Sequence, residues 1–298
     1  VTAMPTAPPN NSTRPPDKPI ELYYEQDGDE DGKPLLLIMG LSSQLIAWPP
    51  PLVADLANRG FRVIRFDNRD CGLSTHLDGV PLNPIWSPQQ APYFLTNMTD
   101  DAASLLDHLG VEQAHVVGAS MGGMIAQLLT LNHPTRVSSL CSIMSTTGNL
   151  GVGQPTPEAA TAVAEAVPPE RENAIKHLVD VLKVIGSKTH FNDEEARRQV
   201  AEAYDRAFYP EGTQRQSRAI FAATDRTSRL RVEVTVPTVV IHGKEDSLIK
   251  LDGGQATANA ISTAGPCEEI DGMGHDLPEH TWARIADLID ENAQRADA

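Results

Sequence analysis

The chain has 298 residues, 40% hydrophobic and 21% charged, an ordinary globular composition with enough apolar material for one large domain or a domain with an inserted subdomain. Its 40 acidic and 24 basic side chains leave a formal net charge of −16, a balance that favours solubility, repels phosphate backbones and anionic membranes, and argues against a nucleic-acid role. No apolar run approaches the roughly 20 residues a membrane-crossing helix needs.

Residues 1–18, rich in Pro, Asn, Thr and Ser and lacking the apolar centre of a signal peptide, are expected to be a mobile tail, and the default location is cytoplasmic. From Pro19 the pattern alternates. IELYYEQDG reads as an early strand, and the GDEDGK run (28–33) as a hairpin turn rather than a calcium loop. KPLLLIMG (33–40) is a continuous apolar run, as expected of a strand buried on both faces of a parallel sheet. A helix with proline in its first turn and Gly60 past its end follows, then the strand FRVIRFD (61–67). TDDAASLLDHLG (99–110) predicts a helix with a Thr or Asp cap and a closing glycine. AHVVG is a strand, MGGMIAQLLTLNHP a helix stopped by Pro134, and VSSLCSIMS (137–145) another strand.

The rhythm breaks near residue 149. Up to about 230 helical spacing takes over, as in Ile175, Leu178, Val179, Leu182 and Ile185, and again from Ala196 to Phe208 behind an Asn192-Asp193 start signal, with Gly186 between the two. Strands resume at VPTVVIHG (236–243) and CEEIDG (267–272), and an amphipathic helix closes the chain over about 279–294. The expected architecture is an α/β fold, a mostly parallel sheet flanked by helices, with residues 19–148 and 231–298 as its core. Residues 149–230 form a helical insertion, read as a cap because open α/β sheets bind ligands at the strand ends.

Gly118-Ala119-Ser120-Met121-Gly122 fits G-x-S-x-G between a predicted strand and a predicted helix. A turn this tight leaves no room for a β-carbon at 118 or 122, and it lifts Ser120 to the mouth of a helix N-terminus that favours negative charge. A serine hydroxyl is a weak nucleophile until a base takes its proton, and that base needs an acid to orient it. Chain order places the acid after a later strand and the base near the end. HGKEDSL offers Asp246, with Glu245 and Asp252 as weaker rivals, and DGMGHDLP offers His275; His280 is expected inside the last helix and His242 is tied up in its strand or turn. Acyl transfer also needs two oxyanion donors, here the backbone amides of Met121 and, in the loop after LLLIMG, Leu41. Cys71, Cys141 and Cys267 are scattered without CxxC, and the nine histidines lack HExxH, so neither a disulfide framework nor a metal site is visible. Arg65, Asp67, Arg69 and Asp70 read as a structural hydrogen-bond network, and Trp48 and Trp86 either as pocket lining or as ordinary packing.

These pieces resemble the α/β-hydrolase superfamily over nearly the whole chain from about residue 20: LLLIMG, RFDNRDCGLS, GASMGG, HGKEDSL and DGMGHDLP. Two departures stand out. Asp70 replaces the first glycine of D-x-R-G-x-G-x-S, and Met39-Gly40 stands where His-Gly is common; both, with Gly-Met-Gly-His, are similar to the aclacinomycin methylesterase branch. The resemblance implies a serine hydrolase acting on a small-molecule carboxylic ester through Ser120, His275 and Asp246, without metal or organic cofactor. A carbon–carbon bond hydrolase, a thioesterase, an amidase or a cofactor-free peroxidase-like enzyme uses the same constellation. A ligand receptor on the same fold is the alternative from another class. Nothing in the pattern sets an oligomeric state.

Overall fold

A computed structural model describes residues 19–298; the expected tail, 1–18, lies outside the described residues. Among the described residues seven strands form one sheet: β1 Tyr24–Asp27, β2 Lys33–Ile38, β3 Phe61–Phe66, β4 Ala114–Ala119, β5 Val137–Ile143, β6 Thr238–Gly243 and β7 Glu268–Ile270. Their spatial order is β1-β3-β2-β4-β5-β6-β7, and every pair is parallel except β1 with β3. The turn at 28–33 is present, with the Gly32 amide donating to Asp29 O at 3.0 Å, but it is not a hairpin. β1 crosses over to pair with β3, and β2 takes its place between β3 and β4.

The apolar strands are continuous in sequence because both sheet faces are covered. Leu36, Ile38, Ile64, Phe66 and Val116 point to the side of α2 (Leu95–His108) and α3 (Met121–Asn132), where they pack with Leu105 and Ile125. Leu35, Leu37, Val63, Val117 and Ile143 point to the other side and meet α1 (Pro50–Asn58) and α10 (Trp282–Asp297) through Leu52, Leu56, Ile285 and Ile289. Alternate residues of one strand thus serve two cores, and each fully buried Leu or Ile contributes on the order of 1.5–3 kcal/mol. Trp48 is only 1% exposed within the α1–α10 core, so it is packing and not pocket lining. Trp86 lies under the Arg218 guanidinium, 5.1 Å from the ring centroid.

α2 starts a turn earlier than its sequence signal. Phe94 is the N-cap residue and its amide donates to Asn97 Oδ1 at 2.9 Å. Thr99, the expected cap, is buried inside the helix with its hydroxyl bonded to Leu95 O. The acids that suggested a first turn are paired elsewhere, Asp100 with His133 and Asp101 with Arg69.

Five helices fill the chain between β5 and β6: α4 Pro157–Ala164, α5 Arg171–Ile185, α6 Asp193–Arg206, α7 Pro210–Phe221 and α8 Thr227–Glu233. Gly186 ends α5, and the Asn192 side chain caps α6 by accepting the Glu195 amide. α6 stops at Arg206, so Phe208 lies beyond it, stacked on Tyr204. α9 (Leu251–Ala260) separates β6 from β7. Among the described residues no helix is long and apolar enough to cross a membrane.

Candidate active site

The ends of β2, β4, β6 and β7 converge on one serine. Ser120 lies between β4 and α3 with φ 57 and ψ −120, a backbone region that non-glycine residues rarely occupy and that costs about 1–3 kcal/mol. Close approach enforces it. A β-carbon at Gly118 would lie 2.1 Å from Gly122 O, and one at Gly122 would lie 2.0 Å from Ile38 O, so neither position admits a side chain. The turn is then locked from outside, because the Ser120 amide donates to Ile143 O at 2.9 Å and the Ser145 hydroxyl donates to Ser120 O at 2.8 Å.

His275 follows β7 and its Nε2 lies 2.9 Å from Ser120 Oγ, while its Nδ1 lies 2.8 Å from Asp246 Oδ2. Asp246 follows β6, only 5% exposed, and its Oδ1 accepts the amides of Leu248 and Ile249, both at 2.9 Å. Burial alone would push this carboxyl up; the attraction of His275 and hydrogen bonds from His242 and His275 outweigh it and pull the pKa down to about 2. An ionised carboxylate only accepts, so Nδ1 carries the imidazole proton and Nε2 presents its lone pair to the serine hydroxyl. Three residues spread over 155 positions of chain therefore form one directed hydrogen-bond chain, from Ser120 to His275 to Asp246.

The rivals are engaged elsewhere. Glu245 Oε2 accepts the Lys188 amide at 2.6 Å, and Asp252 Oδ1 accepts the Gly153 amide at 2.9 Å. His280 sits in a short 3-10 turn ahead of α10, not inside it, donating to Asp271 O and stacked on His190. His242 is fully buried, donates from Nε2 to Ile249 O at 2.7 Å and lies 3.3 Å from Asp246 Oδ2, so it backs the acid rather than replacing His275. Burial, reinforced by nearby Asp67, pushes the Cys71 thiol up, away from a thiolate nucleophile.

The loop after β2 passes over the serine: a β-carbon at Gly40 would lie 3.0 Å from Ser120 Cβ and 3.5 Å from its Oγ. Leu41 follows directly, and Met121 is the first residue of α3, where amides have no partner within the helix. Neither amide donates a hydrogen bond among the described residues. The Arg65–Asp70 cluster is a network, as its composition suggested. Arg65 pairs with Glu25 and Asp27, Asp67 accepts the Leu45 and Leu73 amides, and Arg69 pairs with Asp101. Asp70 has φ 63, which explains why a glycine is common there, and its carboxylate binds the buried Arg215 of α7. Among the described residues no group of three or more His, Cys, Asp or Glu could hold a metal ion.

Several contributors carried no local sequence signal. Ser145 was legible only as the end of a strand. Ser187 and Asp276 hold the histidine loop, since Asp276 Oδ1 accepts the Ser187 hydroxyl at 2.7 Å and the Gly274 amide at 3.1 Å. The His275 amide itself donates to Ile185 O, the last residue of α5.

A family model described as the alpha/beta hydrolase fold matches residues 33–279. The chain is similar to the rhodomycin D methylesterase DauP of Streptomyces sp. (strain C5), 39% identical over 121 residues that span 41% of this chain and 38% of that protein. It is 31% identical over 281 residues to the 2-hydroxymuconate semialdehyde hydrolase of Pseudomonas sp. (strain CF600), covering 90% of this chain and 89% of that one. Among solved structures, a thermophilic esterase from Thermogutta terrifontis superposes with a TM-score of 0.76, with 23% identity and coverage of 99% and 100% of the two chains.

Proposed function

Because the chain belongs to the alpha/beta hydrolase fold family, we propose that it is a serine hydrolase that cleaves a small-molecule carboxylic ester through an acyl-enzyme on Ser120. The carrying observation is the hydrogen-bond chain from Ser120 Oγ through His275 to the ionised Asp246. In this reading His275 Nε2 takes the Ser120 proton as Oγ attacks the ester carbonyl, and Asp246 stabilises the imidazolium that forms. The oxygen of the tetrahedral intermediate becomes an anion held by the Leu41 and Met121 amides. His275 then gives its proton to the departing alkoxide, which leaves as an alcohol. Water, deprotonated by the same imidazole, releases the acid and restores Ser120. Every proton moves through side chains already in place, and neither metal nor organic cofactor has a step in it.

The helices of residues 149–230 serve as a cap that shapes the substrate space, because α5 accepts the His275 amide and α7 accepts the Ser42 amide, in two loops beside Ser120. The three cysteines are free thiols, two of them buried, in keeping with a reducing compartment, and we place the enzyme in the cytoplasm. The 281-residue similarity to a 2-hydroxymuconate semialdehyde hydrolase supports a second reading, in which the same serine and histidine act on a carbon–carbon bond.

A fluorophosphonate probe tests the first step. Wild-type protein should be labelled and Ser120→Ala should not, and wild type should turn over p-nitrophenyl esters while the variant loses at least about a thousandfold in kcat. Folded wild-type protein that resists the probe would sink the reading. Turnover of 2-hydroxymuconate semialdehyde well above that of any ester tested would favour the second one.

A further inference from the structure

Ser42, next to the candidate oxyanion amide of Leu41, has φ 61, in the left-handed region that non-glycine residues seldom adopt. The groups that hold it there come from α7, 174 residues away in sequence. Gln216 is fully buried; its Oε1 accepts the Ser42 amide at 2.8 Å and its Nε2 donates to Arg69 O at 2.8 Å. Each end of the side-chain amide meets a group of the opposite hydrogen-bonding type, so the orientation of Gln216 is determined. The Thr213 hydroxyl, one turn earlier on α7, donates to Ser42 Oγ at 2.9 Å. α7 can come this close because residue 212 is glycine: a β-carbon there would lie 2.0 Å from Asp70 O. Arg215 then ties the helix down through Asp70, at 2.8 Å.

We infer that Gln216 is a positioning residue for oxyanion stabilisation, a strut that sets the direction of the Leu41 amide from the insertion side. The inference rests on Ser120 being the nucleophile. Holding the Ser42 amide fixes the Leu41–Ser42 peptide plane, and the Ser43 amide's bond to Gly40 O at 3.2 Å ties the Gly40–Leu41 plane, which carries the Leu41 N–H, into the same turn. Oxyanion donors act when they are already within 2.7–3.1 Å of the place where charge develops, and their contribution falls when the loop must reorganise. A neutral ester carbonyl in the ground state makes little demand on that alignment. Loss of the strut therefore slows the chemical step and leaves substrate binding nearly unchanged.

The test compares wild type with Gln216→Met, which keeps the side-chain length and removes both hydrogen bonds. The measurements are kcat and KM on a p-nitrophenyl ester, affinity for a trifluoromethyl ketone that forms a tetrahedral adduct with serine, and thermal melting. The expected result is a 10- to 100-fold fall in kcat, a KM within about threefold of wild type, and loss of ketone affinity by the same factor as kcat. A purely structural role would lower the melting temperature with kcat per folded molecule intact, and that result overturns the inference. Should Gln216→Met fail to fold, Thr213→Val decides: about a threefold fall in kcat with matching loss of ketone affinity supports the strut, and unchanged values overturn it. Wild-type protein without turnover or probe labelling would remove the hydrolase reading and this inference with it. Wild-type turnover with an unaltered, folded Gln216→Met removes this inference alone.

Discussion

The two ends of the helical segment hold the site by different means. α6 and α7 reach the loop after β3 through buried charge. Arg206 Nη1 lies 2.7 Å from Asp67, whose side chain is fully buried, and Arg215 Nε lies 2.8 Å from Asp70, with both side chains at most 2% exposed. α5 instead meets the loops of Asp246 and His275 with main-chain and small polar groups: Val184 O accepts Ser247 Oγ, Ile185 O accepts the His275 amide, and Ser187 donates to Asp276. Two of its ion pairs, Lys176–Asp180 and Lys183–Asp193, face outward, with all four side chains more than half exposed. A buried ion pair is costly to break one partner at a time, whereas a small set of hydrogen bonds can be made and unmade. The α6–α7 end is therefore the fixed anchor, and the α5 end is the side that adjusts the loops carrying Asp246 and His275.

The sharpest way to break this comparison is Arg215→Met. It strands the Asp70 carboxylate in the core, and destabilisation by about 3–5 kcal/mol is expected in urea denaturation. Adding Asp70→Asn removes the stranded charge and should recover a good part of the loss. A single variant within 1 kcal/mol of wild type would mean that α7 is no anchor.

Asp276→Ala probes the other end. It deletes the acceptor shared by the Ser187 hydroxyl, the Ser187 amide and the Gly274 amide, so the histidine loop loses its tie to Ser187 just past α5 and keeps the His275 amide's bond to Ile185 O. Hydrogen bonds to a charged acceptor contribute about 1.5–3 kcal/mol. Here that cost should appear mainly as a 10- to 100-fold fall in kcat, with smaller change in the urea midpoint than for Arg215→Met. Equal kinetics with a large loss of stability would reverse the roles assigned to the two ends.

Acid offers a third handle, on Asp246 alone. Its folded pKa, about 2, lies below the unfolded value of about 3.9, so the native state binds its proton more weakly than the unfolded chain does. The stability it contributes is complete above about pH 4 and is lost as pH falls through the folded pKa, by roughly 2–3 kcal/mol in all. Asp246→Asn should flatten that part of the acid limb in melts taken between pH 5 and pH 2. An unchanged slope would show that His275 and His242 do not hold the carboxylate ionised.

The same contrast sets how much of the molecule is legible in its sequence. Strand-turn-helix chemistry is local, so G-x-S-x-G points to Ser120, and strand ends point to Asp246 and His275 because chain order in a parallel sheet limits where partners can stand. The helices of the insertion were legible from periodicity, apart from ends such as Phe208, which periodicity overran. Their docking was not. Gln216, Arg215 and Ser187 meet groups 89 to 174 residues away, and nothing in RQS or GSK says which loop they will face. α2 shows the same limit on a smaller scale. Thr99 and its two acids have the pattern of a cap, but Arg69 and His133, from other elements, pair with the acids. The β1 turn failed as a hairpin for a related reason, since two-residue periodicity makes a strand but does not choose its neighbour.

The smallest expected effect is the control that separates the two kinds of contact. Lys176 and Asp180 sit one turn apart on α5, 2.7 Å from each other, with side chains 74% and 59% exposed. Water screens such a pair and two flexible side chains must be ordered to make it, so Lys176→Ala should change stability by no more than about 0.5 kcal/mol. kcat should not move at all, because the pair lies on the outer face of α5, while the contacts to His275 and Asp276 leave from Ile185 and Ser187 at its end. A measurable fall in kcat would mean that α5 transmits strain along its length, and the tuning assigned to its last turn would then belong to the whole helix.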